Sequence, residues 1–387
     1  MTKLEELIQE LCPDGVEFCP LEQCCNILDK KRKPVTKSAR EAGDYPYYGA
    51  NGIQDYVSDY IFDGTFILVG EDGSVITDRG TPVVTWASGK IWVNNHAHII
   101  EESGDVLLRY LYHYIQTIDV SPLIHGNIPK LTGGDFKALQ IPVPPLPVQR
   151  EIVRILDNFT ELTAELTAEL TARKKQYAYY RDKLLSTNNS SVPVVELRDI
   201  VKKSCSGATP AKGNAEYYEN GTIPWIRTQD VRFNEITEVN SYITEKAVSE
   251  TATKWIPENC VIVAISGATA GRCAINKIKA TTNQHCLNLI IDDSMALYRY
   301  VFHCLCSKYE ELISRKQGAR GDLNSSLILS LPIPIPSLEV QKRIVEVLDN
   351  FDAICSDLKI GLPAEIEARQ KQYEYYRDKL LTFTPAD

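Results

Sequence analysis

Between Val148 and Leu184, apolar side chains fall at Ile152, Leu156, Phe159, Leu166, Leu170 and Tyr177, at gaps that are sums of three and four. That spacing predicts one long helix with a coiled-coil seam. Residues 337–382 carry a second segment of the same kind. A proline-rich run precedes each, IPVPPLP at 141–147 and LPIPIP at 331–336. Proline locks its own φ and pushes the preceding residue out of the α region, so these runs are extended straps, neither helix nor central strand. The rest of the pattern is shorter. Residues 60–69, 91–100, 260–265 and 287–291 predict strands, separated by glycine-centred turns at 49–52, 70–73 and 266–271. Short helices are expected at 4–11, 106–118 and 296–313.

The two long segments are copies of one another. Residues 141–159 match 333–351 at twelve of nineteen positions without a gap, and 173–185 match 369–381 at eleven of thirteen. Self-similarity of this kind organises a chain more firmly than any single local signal. The stretch joining the two blocks is four residues longer in the second copy, 352–368 against 160–172, and contains Gly361 and Pro363. Four residues make one coiled-coil stutter, and Pro363 should kink or briefly break its helix. In the first copy the joining stretch holds the tetrapeptide Glu-Leu-Thr-Ala three times, starting at Glu161, Glu165 and Glu169.

Connectivity then predicts an architecture. An N-terminal helix (1–14) leads into a globular region (15–146), a long helix (147–187), a second globular region (192–336) and a C-terminal helix (337–382). If the second long helix packs on the first, the two must run in opposite directions. The expected class is α+β: two regions of small mixed sheets and short helices, separated by two long antiparallel coiled-coil helices, a pseudo-two-fold tandem repeat. A helix of about 38 residues spans roughly 57 Å at 1.5 Å per residue.

Composition narrows the reading. Apolar residues at 44% and charged residues at 24% suit ordinary soluble cores. No run of about 18 apolar residues predicts a membrane span. The acid- and leucine-rich start does not resemble a secretory signal, so the cytoplasm is the expected compartment. The eleven cysteines include no CxxC pair. Their densest group, His303-Cys304-Leu305-Cys306, lacks zinc-site spacing and reads as buried, reduced thiols. A net charge of −9 speaks weakly against a nucleic-acid partner. Placement of charge matters more than its sum. Residues 30–40, KKRKPVTKSAR, hold six basic residues and no acid, and smaller basic groups recur in both halves. Each alone fits a solvated face; their recurrence favours a polyanion.

The second globular region contains Ser206-Gly-Ala-Thr-Pro210, Ile223-Pro-Trp-Ile226, Gly267-Ala-Thr-Ala-Gly271 and Thr282-Asn-Gln-His285. The first contains Tyr45-Pro-Tyr-Tyr-Gly-Ala-Asn-Gly-Ile53, Gly70-Glu-Asp-Gly73 and Asn94-Asn-His-Ala-His98. Together with the repeated helices, these resemble two subtypes of target-recognition domain in the specificity subunits of type I restriction-modification enzymes. The likeness covers nearly the whole chain. It implies a non-catalytic subunit that binds a bipartite double-stranded DNA site, one half per domain. It also implies two methyltransferase subunits docked on the helical segments, and translocase-nuclease subunits joining that core. S-adenosylmethionine, ATP and magnesium would then belong to partners, with no cofactor on this chain. The first region lacks the Ser-Gly-x-Thr-Pro motif, so the two readers should see different sequences.

Chemistry-bearing motifs are missing independently of that likeness. No [Asn/Asp]-Pro-Pro-aromatic methyl-transfer motif and no Glu-x-Lys nuclease core occur, and Gly89-Lys90 lacks the upstream glycine of a phosphate loop. His96 and His98 alternate along a predicted strand and read as packing or hydrogen-bonding residues. Phosphate contacts should come from loop Lys and Arg, and base contacts from Arg, Asn, Gln, Lys and Thr. The candidates are Lys31, Arg32, Lys33, Lys37, Asn51, Gln54, Arg79, Lys90 and Asn127 in the first reader. In the second they are Lys202, Thr209, Lys212, Arg227, Gln229, Arg272, Lys277, Arg315 and Arg320. Tyr177, Tyr180, Arg181, Tyr373, Tyr376 and Arg377 are candidates for docking a partner, or for packing the helices on each other. The alternatives are a coiled-coil adaptor with two protein-binding heads, a stand-alone DNA-modifying enzyme, and a spare specificity cassette.

Overall fold

The computed structural model describes residues 2–73, 75–125, 127–186, 191–314, 322–357 and 359–386. It divides into two compact units, Met1–Thr167 with Glu365–Asp387, and Ala168–Ala364. Candidates Arg315 and Arg320 lie outside the described residues. Among the described residues, no helix is long and apolar enough to cross a membrane.

The first unit is built on a six-stranded sheet. Its order is Cys25–Ile27, Ala97–Glu102, Phe62–Gly70, Val84–Val93, Ala42–Gly49 and Gly52–Val57. All neighbours are antiparallel except Ala42–Gly49 with Val84–Val93, which are parallel. The apolar run Phe66–Val69 does not alternate with polar residues because both faces of its strand are covered. Ile67 and Val69 pack towards Leu108, Leu111, Ile152 and Leu156, whereas Phe66 and Leu68 pack with Phe62, Ile91 and Ile99. Leu4 of the N-terminal helix Lys3–Leu11 and Leu381 beyond the last helix join the former cluster.

The second unit repeats this logic with different residues. Its five-stranded sheet runs Val201–Ser206, Cys286–Ile291, Val261–Ala264, Cys273–Asn276 and Asn234–Ile236. A four-stranded sheet is formed by Tyr242–Ile243, Ile223–Ile226, Ala280–Thr282 and Trp255–Ile256. Val261 and Val263 face one core while Ile262 and Ala264 face another.

Two expected elements are divided. The predicted strand 91–100 is two strands, because Asn94 to His96 forms a turn in which the Asn94 side-chain oxygen accepts the His96 N–H at 2.8 Å. The predicted helix 296–313 is two helices, Tyr298–Ser307 and Tyr309–Ser314, and the Lys308 N–H is shared by the carbonyls of Cys304 and Leu305 at 3.2 Å.

The first long helix is continuous, Leu146–Leu184. The second breaks at the expected place into Leu338–Ser356 and Leu362–Leu380. Asp357 caps the gap by accepting the Lys359 N–H at 2.6 Å and the Ile360 N–H at 3.1 Å. Pro363 then sits in the first turn of the next helix, where its missing N–H costs nothing. Full burial on the first long helix is confined to Val148, Gln149, Glu151, Ile152 and Leu156. Leu166 and Leu170, placed in the seam by their spacing, are only half-buried. Within the tetrapeptides the Thr163 and Thr167 hydroxyls donate to the carbonyls four residues back, at 2.9 and 2.7 Å, so they are satisfied without a partner helix.

Each long helix is fastened to its own sheet region by the same contacts. Gln149 is fully buried. Its side-chain oxygen accepts the Leu107 N–H at 2.9 Å, and its amide donates to the carbonyls of Asp105 and Pro144 at 3.0 and 2.8 Å. Gln341 does the same with Leu297 at 2.9 Å, Met295 at 3.1 Å and Pro336 at 2.9 Å. Asp157 accepts from Arg109 at 2.7 Å and His113 at 2.9 Å. Asp349 accepts from Arg299 at 2.5 Å and His303 at 2.8 Å. Burial alone would raise both carboxyls, but these histidine and arginine bonds hold Asp157 and Asp349 below the usual carboxylate range. Tyr110 and Tyr300 close the pattern by donating to the carbonyls of Pro142 and Pro334, at 3.0 and 2.9 Å.

Replacing Gln341 by alanine strips partners from one buried N–H and two carbonyls and leaves a cavity. We expect Gln341→Ala to cost the second unit about 3 kcal/mol, and Lys342→Ala, on the exposed face, to stay within about 0.5 kcal/mol. Urea unfolding followed by tryptophan fluorescence reads both; equal shifts would remove the anchoring role.

Candidate nucleic-acid interface

The two sheet regions share little sequence outside the fastening contacts, yet both end in the same turn. In the first unit the parallel pair Tyr48 and Val93 is followed by Asn94, whose N–H donates to the Tyr48 carbonyl at 3.1 Å. The His96 carbonyl accepts the Glu71 N–H at 2.9 Å. In the second unit Ile226 pairs with Thr282, and the Asn283 N–H donates to the Ile226 carbonyl at 3.0 Å. The Asn283 side-chain oxygen accepts the His285 N–H at 3.1 Å, and the His285 carbonyl accepts the Ile265 N–H at 2.9 Å. Asn94 and Asn283 are buried, and the two residues after each are exposed. The asparagine therefore spends its side chain on the turn, and the next two side chains are presented to solvent at the ends of strands.

In the second unit this turn borders a cleft of about 590 Å³ lined by Thr209, Lys212, Trp225, Arg227, Gln284 and His285, among others. Thr209, Lys212 and Arg227 were expected on sequence grounds, and the fold brings the three together. The Thr209 hydroxyl donates to Gln284. The Trp225 ring is fixed by its Nε1–H, which donates to the Ala208 carbonyl at 3.2 Å. Arg227 stands 5.9 Å from that ring, and its buried Nε lacks a partner among the described residues. A planar donor fork beside an aromatic wall, with a lysine and an amide lining the same cleft, suits the edge of a base and a neighbouring phosphate. Gln229 is exposed on the adjoining turn Thr228–Asp230. Asn283, Gln284 and His285 were missed as candidates, although their motif was visible; the signal was its counterpart, Asn-x-His, at 94–96.

Other candidates in this unit are placed elsewhere. Lys277 donates to Asn259 at 2.8 Å and Tyr298 at 3.2 Å and lies 3.7 Å from Glu235. Glu235 also pairs with Arg299, so Lys277 belongs to the cluster that fastens the helix. Lys202 is exposed on the strand Val201–Ser206, and Arg272 is half-buried, its Nε without a partner among the described residues.

In the first unit Asn51 is exposed at the tip of the hairpin formed by Ala42–Gly49 and Gly52–Val57. Gln54 follows it and accepts from Asn94 at 3.4 Å, which puts both beside the turn. Lys90 lies 4.6 Å above the Tyr60 ring. Lys31, Lys33, Lys37 and Asn127 are exposed. Arg32 is not free. It pairs with Glu71 at 2.6 Å and Asp29 at 3.5 Å and donates to the Ala97 carbonyl at 2.6 Å. Lys130 adds a second cation 3.1 Å from Glu71. His98 completes the group, bonded to Asp29 at 2.6 Å and to the Leu131 carbonyl at 3.0 Å and stacked on Phe136. Asp29, Glu71 and His98 are close enough to share a metal ion, but the guanidinium and ammonium already balance the two carboxylates. Arg79 pairs with Glu374 of the helix Leu362–Leu380 at 2.6 Å, which assigns it to the helix contact.

The helical candidates split by depth. Tyr373 shares a hydrogen bond with His113 at 2.9 Å, and its phenol is pushed up to about 12 by burial. Arg377 is buried over its ring. Tyr376 stacks on Phe159. In the second unit Tyr177 and Tyr180 contact Phe351, and Arg181 lies beside Tyr177. Burial raises the Tyr177 phenol as well. The tyrosine bond made by His113 has no counterpart here: the buried Nδ1 of His303 lacks a partner among the described residues. Tyr177, Tyr373 and Arg377 pack helices, whereas Tyr180 and Tyr376 touch Phe351 and Phe159 while remaining exposed. The aromatics of these helices that protrude furthest are Tyr179 and Tyr375, exposed at 61% and 62%, which are not among the sequence candidates although they occupy the same place in the two repeats.

The model of the type I restriction modification DNA specificity domain matches this chain twice, at 13–173 and 189–368. A putative type I restriction enzyme specificity subunit of Haemophilus influenzae is 35% identical over 99% of this chain and 99% of its own length. The type I restriction enzyme EcoR124I/EcoR124II specificity subunit of Escherichia coli is 39% identical over 80% of each. Among solved structures, the S subunit of a type I system from M. genitalium aligns over 95% of this chain and 96% of its own with a TM-score of 0.59. A chain from a study of type I R-M complex assembly aligns over 95% and 98% with a TM-score of 0.61. Both are 15% identical and speak to the fold alone.

Within the basic run, structural and surface cations are separable. Arg32→Met leaves two part-buried carboxylates with one partner fewer each, and we expect it to cost about 2 kcal/mol. Lys31→Ala should change stability by less than about 0.5 kcal/mol. Thermal unfolding of the two variants decides it, and equal midpoints would return Arg32 to the surface set.

Proposed function

The chain belongs to the family of type I restriction-modification DNA specificity subunits, and from that membership we propose that each unit reads one half of a bipartite duplex site. It is the non-catalytic, sequence-recognising member of its complex; family membership sets aside the adaptor alternative. Subunits of this family assemble with other subunits and with DNA. We assign the reading faces to the turns at 94–96 and 283–285, with the Asn51 hairpin on one and the Thr209–Lys212–Arg227 cleft on the other. The observation that carries this reading is the recurrence of one backbone turn, with an amide and a histidine exposed after it in each unit, beside unlike neighbours: the Asn51 hairpin in one and the Thr209–Lys212–Arg227 cleft in the other. Common geometry with different polar groups is what reading two different half-sites requires.

On the helices, exposed Tyr179 and Tyr375 offer matching aromatic contacts to two copies of one partner, in our reading two methyltransferase subunits. Translocase-nuclease subunits join that core. S-adenosylmethionine, ATP and magnesium are then carried by those partners, and the complex works in the cytoplasm. Co-expression with the cognate methyltransferase, followed by methylome sequencing, tests the assignment. The expected result is one bipartite methylated motif. Arg227→Ala should relax one position in one half-site, whereas Lys212→Ala should weaken binding across sequences and lower the salt slope by about one. No motif, or a contiguous one, would refute it.

The three tetrapeptides bear on the spacing of the half-sites. One more Glu-Leu-Thr-Ala unit adds about 6 Å of helix and turns the downstream part of the chain by roughly 40°, against about 34° per base pair of duplex. The same sequencing of a four-unit variant should show the unread gap longer by about one base pair; an unchanged gap would separate helix length from target geometry.

A further inference from the structure

The cysteines of the His303–Cys306 stretch have no part in recognition, and one of them meets another thiol. Cys273 opens the strand Cys273–Asn276 and is fully buried. Cys306 lies on the last turn of the helix Tyr298–Ser307 and is half-buried. Their sulfurs are 3.3 Å apart, and both are free thiols. Cys306 also lines a cleft of about 560 Å³ that opens to solvent beside Tyr177, Phe302, Tyr309 and Asp352. Cys306 thus borders open solvent, whereas Cys273 has no exposed surface of its own. Burial, and then the neighbouring sulfur, raise the Cys273 thiol well above its ordinary range, so it is inert on its own.

We propose that Cys273 and Cys306 form a peroxide-responsive dithiol site, with Cys306 as the attacking sulfur and Cys273 as the resolving one. The Cys306 thiolate attacks a hydroperoxide. An S–O bond forms, the O–O bond breaks, and the leaving oxygen departs as water or alcohol after taking a proton. Cys306 is then a sulfenic acid, oxidised by two electrons, and the peroxide is reduced by two. The Cys273 sulfur attacks Cys306, its proton leaves with the hydroxyl as water, and the S–S bond replaces the S–O bond. The second step is intramolecular between sulfurs already in contact, so it outruns further oxidation of Cys306. The product joins a central strand of the five-stranded sheet to the helix that carries Arg299 and His303, the groups bonded to Asp349. A thiol reductant restores the pair.

Treating the purified full chain with hydrogen peroxide and mapping its peptides by mass spectrometry tests this independently of DNA. A peptide linking Cys273 to Cys306, reversed by dithiothreitol, should accumulate before the sulfoxide of Met295, which is 40% exposed. In Cys273→Ser, dimedone should trap a sulfenic acid on Cys306; in Cys306→Ser, Cys273 should stay unmodified. Three results overturn the proposal: Met295 oxidised with no crosslink formed, Cys306 passing to sulfinic acid in the unaltered chain, or Cys273 reacting in Cys306→Ser.

Discussion

A glutamine side chain without access to water, making three hydrogen bonds to backbone, decides where each long helix starts. Gln149 and Gln341 come after proline-rich straps whose N–H-poor backbone cannot extend a sheet. Each strap forms only a short two-stranded ribbon, Phe18–Pro20 with Gln140–Pro142 and Val194–Glu196 with Pro332–Pro334. The chain is thus handed from ribbon to helix at a fixed point. The amide then ties that point to the backbone just ahead of the Arg-Tyr-x-x-His helix. Two turns later Asp157 or Asp349 receives that helix's arginine and histidine. A buried amide has no rotamer to spare once three partners are met, so the angle between helix and sheet is fixed and not merely favoured.

That fixed angle frees the rest of each sheet region to differ. The strand segments Phe66–Val69 and Val261–Ala264 are apolar on both faces, which makes them tolerant of residue identity and demanding mainly of volume. At their ends the Asn-x-His turn requires one residue type, asparagine, because only a short amide both accepts the N–H two residues on and fits a buried corner. The exposed side chains that follow it can differ while the turn is kept, although Gly207, whose Cβ would meet the Thr282 carbonyl, cannot. A recognition surface built this way varies in chemistry while holding its shape.

The repeat made the long helices, the straps and the break before Pro363 legible, since each rests on local backbone chemistry. The same repeat also contained the anchor, but only half of it lay in the matched blocks. The other half, Arg109-Tyr-Leu-Tyr-His113 and Arg299-Tyr-Val-Phe-His303, sits inside the variable regions and passed unnoticed. The strand expected at 91–100 failed because apolar run length cannot report a turn whose signal is one side-chain hydrogen bond. Candidate cations were harder still. Arg32, Arg79 and Lys277 look like Lys31 and Lys212 in sequence, and the difference between them is a carboxylate brought from Glu71, Glu374 or Glu235 by the fold.

That separation also bears on how a chain of net charge −9 serves a polyanion. Lys3, Arg32, Arg79, Arg109, Lys130, Lys277 and Arg299 are each matched to an acid in an internal pair. Such pairs leave no monopole for a phosphate to feel. Lys31, Lys33, Lys37 and Lys212 are exposed and enter no ion pair found among the described residues. Over a Debye length of about 8 Å at physiological salt, a phosphate responds to these neighbours and hardly at all to acids on distant helices. The sum over the sequence is therefore the wrong quantity. What matters is which cations the folding of the anchors and ion-pair clusters has left uncommitted, and on which edge of the sheet they stand.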